Sequence, residues 1–336
     1  MSNGIETRAE TEDETNRTRS YFCEPEFQDR SAGLHPDLWA DWMSILVQEN
    51  RDRVENISDV FRIFVQPPIV QYVFTICLRL RMSHEVKYLA LGIFNEFMVA
   101  HISTLYSVVI NLINKSDEEK QREWEKIESN VSRQLPLRVL SCVQIASKII
   151  SHNQALCNKS VRRCLQSLGQ SYTEEAVRKS EVRILSTIDF SADVRQNPVS
   201  YVESVLHILL FTKNDPKIEV RPLWDYSIII LDCIYLQQDE VYQGILIRVH
   251  GIEASNLNRD RIIRLQGDYM LLAGAVVMTA CICVHGMDFA EACLPIIGET
   301  CFLPQKDIVD TSVGIMKTIV DFREHNNSSH QLLSGE

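Results

Sequence analysis

Apolar positions recur every three or four residues through most of the chain, the spacing that lays one stripe along an α-helix. The first run starts at Pro36-Asp37, with Asp37 placed to cap it and Leu38, Trp42, Ile45 and Leu46 following. Pro67-Pro68 opens a second, carrying Ile69, Val70, Val73, Phe74, Cys77 and Leu78; proline is well tolerated in a first helical turn. Ser83 is the N-cap candidate of a third, where Val86, Leu89, Ala90, Ile93, Phe94, Phe97 and Met98 form a wide stripe that runs on toward Leu112. The stretch from Lys115 to Asn130 breaks the pattern. Charges of both signs dominate it and Trp124 stands among them, so it reads either as a solvated helical extension or as a loop.

The stripe resumes from Leu137 to Ile150, after Pro136. A helix over Lys159–Leu168 ends at Gly169, a C-cap residue type. Thr173 opens another through Val177, Val182, Leu185 and Ile188. Asp189–Asn197 reads as a linker, closed by Pro198, and a second series follows: Val199–Phe211, Val220–Leu236, Glu240–Gly251, Ile263–His285, Phe289–Ile297 and Lys306–Phe322. The predicted organisation is all-α. An acidic tail over 1–35 is expected to be disordered, since it has few apolar anchors to offset the entropy of ordering. A helical lead-in covers 36–64, a first set of helices 65–190 with the charged insert at 115–130, a second set 197–324, and a flexible C-terminus 325–336.

Composition sharpens this picture. Only 12 glycines and 10 prolines in 336 residues disfavour a fold built on many tight turns. A net charge of −11 argues against direct nucleic-acid binding and points toward protein partners. The ten cysteines include no Cys-x-x-Cys pair and lie mostly in apolar runs, as in a reduced, intracellular protein. No membrane span is expected, because the most apolar stretch, Met270–Val284, is shorter than the roughly 20 residues a bilayer requires.

Candidate chemistry is sparse. Cys281-x-Cys283-x-His285 holds metal-ligand residue types, yet three ligands within five helical residues cannot share one face. The histidines are scattered and no glycine-rich phosphate loop occurs. Asp232 and Asp268 sit in apolar windows and are expected to be buried and hydrogen-bonded. No catalytic residue, metal site or cofactor is expected, and the chain reads as a non-enzyme.

One stretch carries a family resemblance. Leu137-Arg138-Val139-Leu140-Ser141-Cys142-Val143-Gln144-Ile145-Ala146-Ser147-Lys148 resembles the third helix of a cyclin box, which typically ends in Ala-Ser-Lys. Glu174–Phe190, with Glu181 and Ile188-Asp189-Phe190, is similar to the fifth helix and its exit, and Asn197-Pro198-Val199-Ser200-Tyr201-Val202 to the opening of a second box. The resemblance to the cyclin family covers roughly residues 65–320 and is more specific in the first box.

The resemblance implies two consecutive five-helix cyclin boxes behind an extra N-terminal helix. It implies that Lys148 and Glu181 contact a cyclin-dependent kinase and fix its regulatory helix. Where cyclins carry a buried Arg–Asp pair, Gln66 and Asn95 stand here as a neutral polar pair. The substrate-docking patch would fall at Ile69 and Tyr72, with Thr75 in place of its acidic member, so it is degenerate. Within the family, the helix from Leu137 to Lys148 is most like a divergent branch that acts in meiotic crossover formation. That branch implies a place in the nucleus on meiotic chromosomes, and also in the cytoplasm, with meiotic crossover proteins among its partners. The alternative expectation keeps the fold and drops the kinase: a scaffold that gathers recombination or ubiquitin-pathway proteins.

Overall fold

The computed structural model describes residues 35–111, 116–150, 155–192, 197–215, 218–251 and 259–333. The tail expected to be disordered therefore lies outside the described residues, apart from its last position. After a 3-10 turn at Pro36–Leu38 come thirteen α-helices, and the described residues contain no strand. They are α1 (Trp39–Glu55), α2 (Pro67–Arg79), α3 (His84–Ile110), α4 (Asp117–Ile150), α5 (Asn158–Ser167) and α6 (Glu174–Thr187), then α7 (Pro198–Lys213), α8 (Val220–Leu236), α9 (Gln238–His250), α10 (Arg259–Gly267), α11 (Tyr269–His285), α12 (Met287–Cys301) and α13 (Gln305–Leu333).

Two helices are central. In α4 every residue from Leu137 to Ser147 is buried, because α2, α3, α5 and α6 surround it. The second centre is α11, wrapped by α1, α7, α8, α12 and α13 and buried at nearly every position from Tyr269 to Cys281. Small residues permit that crowding. A Cβ at Gly274 would stand 3.1 Å from Cys301 Sγ and 3.5 Å from Ile297 Cγ2, so α11 and α12 approach more closely there than a larger residue allows.

The ends of several helices follow the expected chemistry. Thr173 accepts from the Ala176 N–H, and Asn197 accepts from the Val199 N–H just before Pro198. Gly169 has φ +74°, and the Gln170 N–H reaches back to Leu165 O at 2.9 Å, closing α5 in a Schellman turn.

Of the two readings of the charged stretch the structure takes the helical one: α4 begins at Asp117 and continues through Pro136. A reciprocal cap starts it, with Ser116 Oγ accepting from the Glu119 N–H at 3.3 Å and Glu119 Oε2 accepting from the Ser116 N–H at 2.8 Å. The segment Ile263–His285 is two helices, α10 and α11, bent by 70° at Asp268, whose carboxylate caps α11 by accepting from Leu271 N–H. That break brings the second set to seven helices, where periodicity predicts six and the resemblance implies five. The C-terminus expected to be flexible from 325 is helical to Leu333. Asp37 does not cap α1, because the 3-10 turn puts Leu38 at the cap position. Ser83 holds the N-cap position of α3, but its buried hydroxyl bonds no group among the described residues.

The lead-in helix joins the second set. Asn50 Oδ1 accepts from the Tyr269 and Met270 N–H groups at 2.8 and 3.2 Å, and its Nδ2 donates to Asp268 Oδ1 at 2.9 Å. Two free N–H groups at the start of α11 are thereby satisfied from α1.

Candidate protein-docking face

The described face centres on Lys148, in the last turn of α4, and Glu181, midway along α6. Buried polar groups set how these helices meet. Ser141 Oγ donates to Ser180 Oγ at 2.9 Å, and Arg138 Nη1 donates to the same oxygen at 2.8 Å. Arg138 Nη2 donates to Gln134 Oε1, and its guanidinium lies 5.6 Å from the Phe97 ring centroid. A buried polar seam of this kind fixes register, because each slip leaves a donor or acceptor unmet.

The exit of α4 is held in the same way. Ser147 Oγ accepts from the Leu156 N–H at 3.0 Å, and Gln144 Nε2 donates to Leu156 O and to Asn158 Oδ1. Gln144 and Ser147 thus tie the chain beyond α4 back onto it, leaving Lys148 at the rim.

Lys148 Nζ and Glu181 Oε1 are 2.5 Å apart. The lysine side chain is 43% exposed and the glutamate 13%. An ammonium has three donors and a carboxylate two acceptor oxygens, so the pair keeps hydrogen-bonding capacity for a partner. Apolar surface adjoins it. Val182, expected on the buried stripe of α6, is instead 51% exposed, while Leu185, Ile149 and Ile150 are half-buried. On α2, Leu78 is likewise exposed, at 80%.

The other positions sort differently. Gln66 and Asn95 are not bonded to each other. Asn95 Oδ1 accepts from the Phe64 N–H at 3.0 Å, and Gln66 Nε2 donates to Ile63 O at 3.0 Å. Each satisfies the backbone of the segment before α2, which has its own polar groups to pair. Ile69 and Tyr72, one turn apart on α2, are half-buried against the core. Burial first, and the thiol of Cys164 second, push the Tyr72 hydroxyl upward in pKa. Thr75 Oγ1 turns back to Gln71 O at 2.7 Å. Cys281 is buried and Cys283 exposed, so the two thiols diverge.

Sequence reasoning did not find the polar links that join the lead-in and the first set to the second. Lys87 on α3 reaches Asp232 on α8 at 2.6 Å, and Tyr88 also donates to that carboxylate. Arg62, buried and at φ +53°, donates to the hydroxyls of Tyr235 and Tyr269. Gln238 Nε2 donates to Val65 O at 2.6 Å. These partners lie more than a hundred residues apart, and only the apolar setting of Asp232 hinted at a buried role.

The described residues are all-helical, in two sets each gathered round a buried central helix, and the fold is cyclin-like and all-α. Among curated proteins it is similar to cyclin N-terminal domain-containing protein 1. Identity is 27% over 233 residues with that of Homo sapiens and 28% over 233 residues with that of Mus musculus, each alignment covering 69% of this chain and 69% of the relative. No family model matches the chain.

Proposed function

We propose that this chain is a regulatory, non-enzymatic cyclin-like protein that promotes crossover formation in meiosis, acting in the nucleus by binding a cyclin-dependent kinase. Residues 65–190 and 197–324 serve as its two cyclin boxes. The observation that supports kinase binding is the Lys148–Glu181 pair, 2.5 Å apart at the rim of α4 and α6 and beside exposed Val182. A kinase helix laid there would meet a charged pair with unused hydrogen-bonding capacity, set in apolar surface that supplies contact area. The chain would contribute no reacting group; it would shift the kinase toward its competent conformation.

A second reading is favoured by the Thr75 hydroxyl where the docking patch would need an acid. In it, the same fold is a scaffold that gathers recombination or ubiquitin-pathway proteins without a kinase. Complementation separates the two. In cells lacking the protein, crossovers are scored after expressing wild type or Lys148→Ala/Glu181→Ala. Restoration by wild type alone supports the kinase reading. Equal restoration by both supports the scaffold, and failure by wild type removes the meiotic assignment.

A further inference from the structure

A pocket of about 230 Å³ lies between α1 and α7, lined by Trp39, Trp42, Ser200, Glu203, Ser204, His207 and Ile208. Its aromatic wall is held in place. Trp42 Nε1 donates to Ser204 Oγ at 2.9 Å, and the Trp39 ring packs edge-on against Phe211 with centroids 4.7 Å apart. Glu203 supplies the charge. Among the described residues, neither it nor Glu85, the nearby carboxylate at the start of α3, forms an ion pair or a side-chain hydrogen bond. Burial, then repulsion by Glu85, pushes the Glu203 carboxyl up to about 7, and burial raises Glu85 as well.

We propose that this pocket binds a cationic side chain, an arginine, presented by a protein partner. Two indoles beside a carboxylate with no cation of its own are the pairing that recognises a guanidinium, whose flat face stacks on aromatic rings while its edge donates to carboxylate oxygens. A net charge of −11 favours such a partner electrostatically. The site stands apart from the Lys148–Glu181 face, on different helices.

Its occupation has a proton signature. The titrating groups here are Glu203 and His207 on α7 and Glu85 on α3, while α1 contributes the indoles. Burial lowers the His207 pKa, so its ring is neutral at pH 7. A guanidinium against Glu203 would drive that carboxyl to its ionised form, so binding near neutral pH releases protons.

The test is calorimetric titration of the full chain with Nα-acetyl-arginine amide, and with the neutral isostere Nα-acetyl-citrulline amide, in buffers of different ionisation enthalpy. The expected result is binding of the arginine amide with proton release, no binding of the citrulline amide, and weakening of about tenfold or more in Glu203→Gln. Trp42→Phe, which keeps an aromatic ring but removes the indole donor, is expected to retain weaker binding, and the melting transition of each variant reports its fold. Equal binding of the two amides, no binding by folded wild type, or unchanged affinity in folded Glu203→Gln would each overturn the proposal.

Discussion

Lys87 and Asp232, 145 residues apart, join α3 to α8 through an ion pair of 2.6 Å whose lysine side chain is only 8% exposed. Removing the lysine leaves the Asp232 carboxylate, 28% exposed, with the Tyr88 hydroxyl as its remaining donor. Lys87→Met is therefore expected to destabilise by about 1–3 kcal/mol, read by chemical denaturation. The double variant Lys87→Met/Asp232→Leu should recover much of that loss, because neither charge remains. A double variant as unstable as the single one would show that the pair is not the link.

The lead-in helix should behave as part of the second set. Asn50→Leu keeps the side-chain size but leaves the Tyr269 and Met270 N–H groups without their acceptor, at a cost of about 1–3 kcal/mol. Hydrogen exchange should speed up at the start of α11 and stay unchanged in α4. Faster exchange in α4 alone would place the lead-in helix with the wrong set.

The outer part of α4 should depend on its cap. Ser116→Ala is expected to weaken the first turns by about 1 kcal/mol, seen as faster exchange over 117–125. The global transition should scarcely move, because this end of α4 is peripheral to the core.

Most of the core was legible in the sequence. Periodicity placed the buried stripe of α3, most of those of α2 and α4, and the extents of α7 and α8, while Val182 on α6 and Leu78 on α2 face outward; Thr173, Asn197 and Gly169 marked ends whose geometry follows their chemistry. Periodicity alone leaves the charged stretch before Pro136 open between helix and loop, because it lacks an apolar stripe; the helix there is held by its capping box and by i,i+3 and i,i+4 pairs such as Glu123–Lys126 and Glu118–Arg122. Ser116-Asp117-Glu118-Glu119 carries the signature of that box and could have revealed it. The apolar run Ile263–His285 looked continuous because both sides of the bend are buried, and Asp268 within it was the cap. Lys148 and Glu181 could be singled out by resemblance, but their contact across 33 residues needed the fold. Arg62 and its tyrosine partners had no local signal at all.

Acid should destabilise the protein through His101. Burial first, then Arg183 and Arg138, push its imidazole down to about 4 from an ordinary value of 6.5. Because the folded pKa lies below the unfolded one, the unfolded state takes up the proton first. Stability is therefore expected to be unaffected by this group above pH 6.5, and to fall as pH drops from there toward 4. His101→Gln should flatten that part of a melting-temperature profile, and an unaltered slope would assign the acid sensitivity to other groups.

The central claim is that Lys148 and Glu181 form a kinase-docking pair, and the most direct test is co-elution of the purified chain with a purified cyclin-dependent kinase. The chain is run as wild type and as Lys148→Glu/Glu181→Lys, a swap that preserves their mutual attraction and so the fold, while reversing the polarity a partner meets. Co-elution of wild type that is lost in the swapped chain is the predicted result. Co-elution that survives the swap would contradict the assignment of this pair, and failure of wild type to co-elute would leave the fold serving as a scaffold.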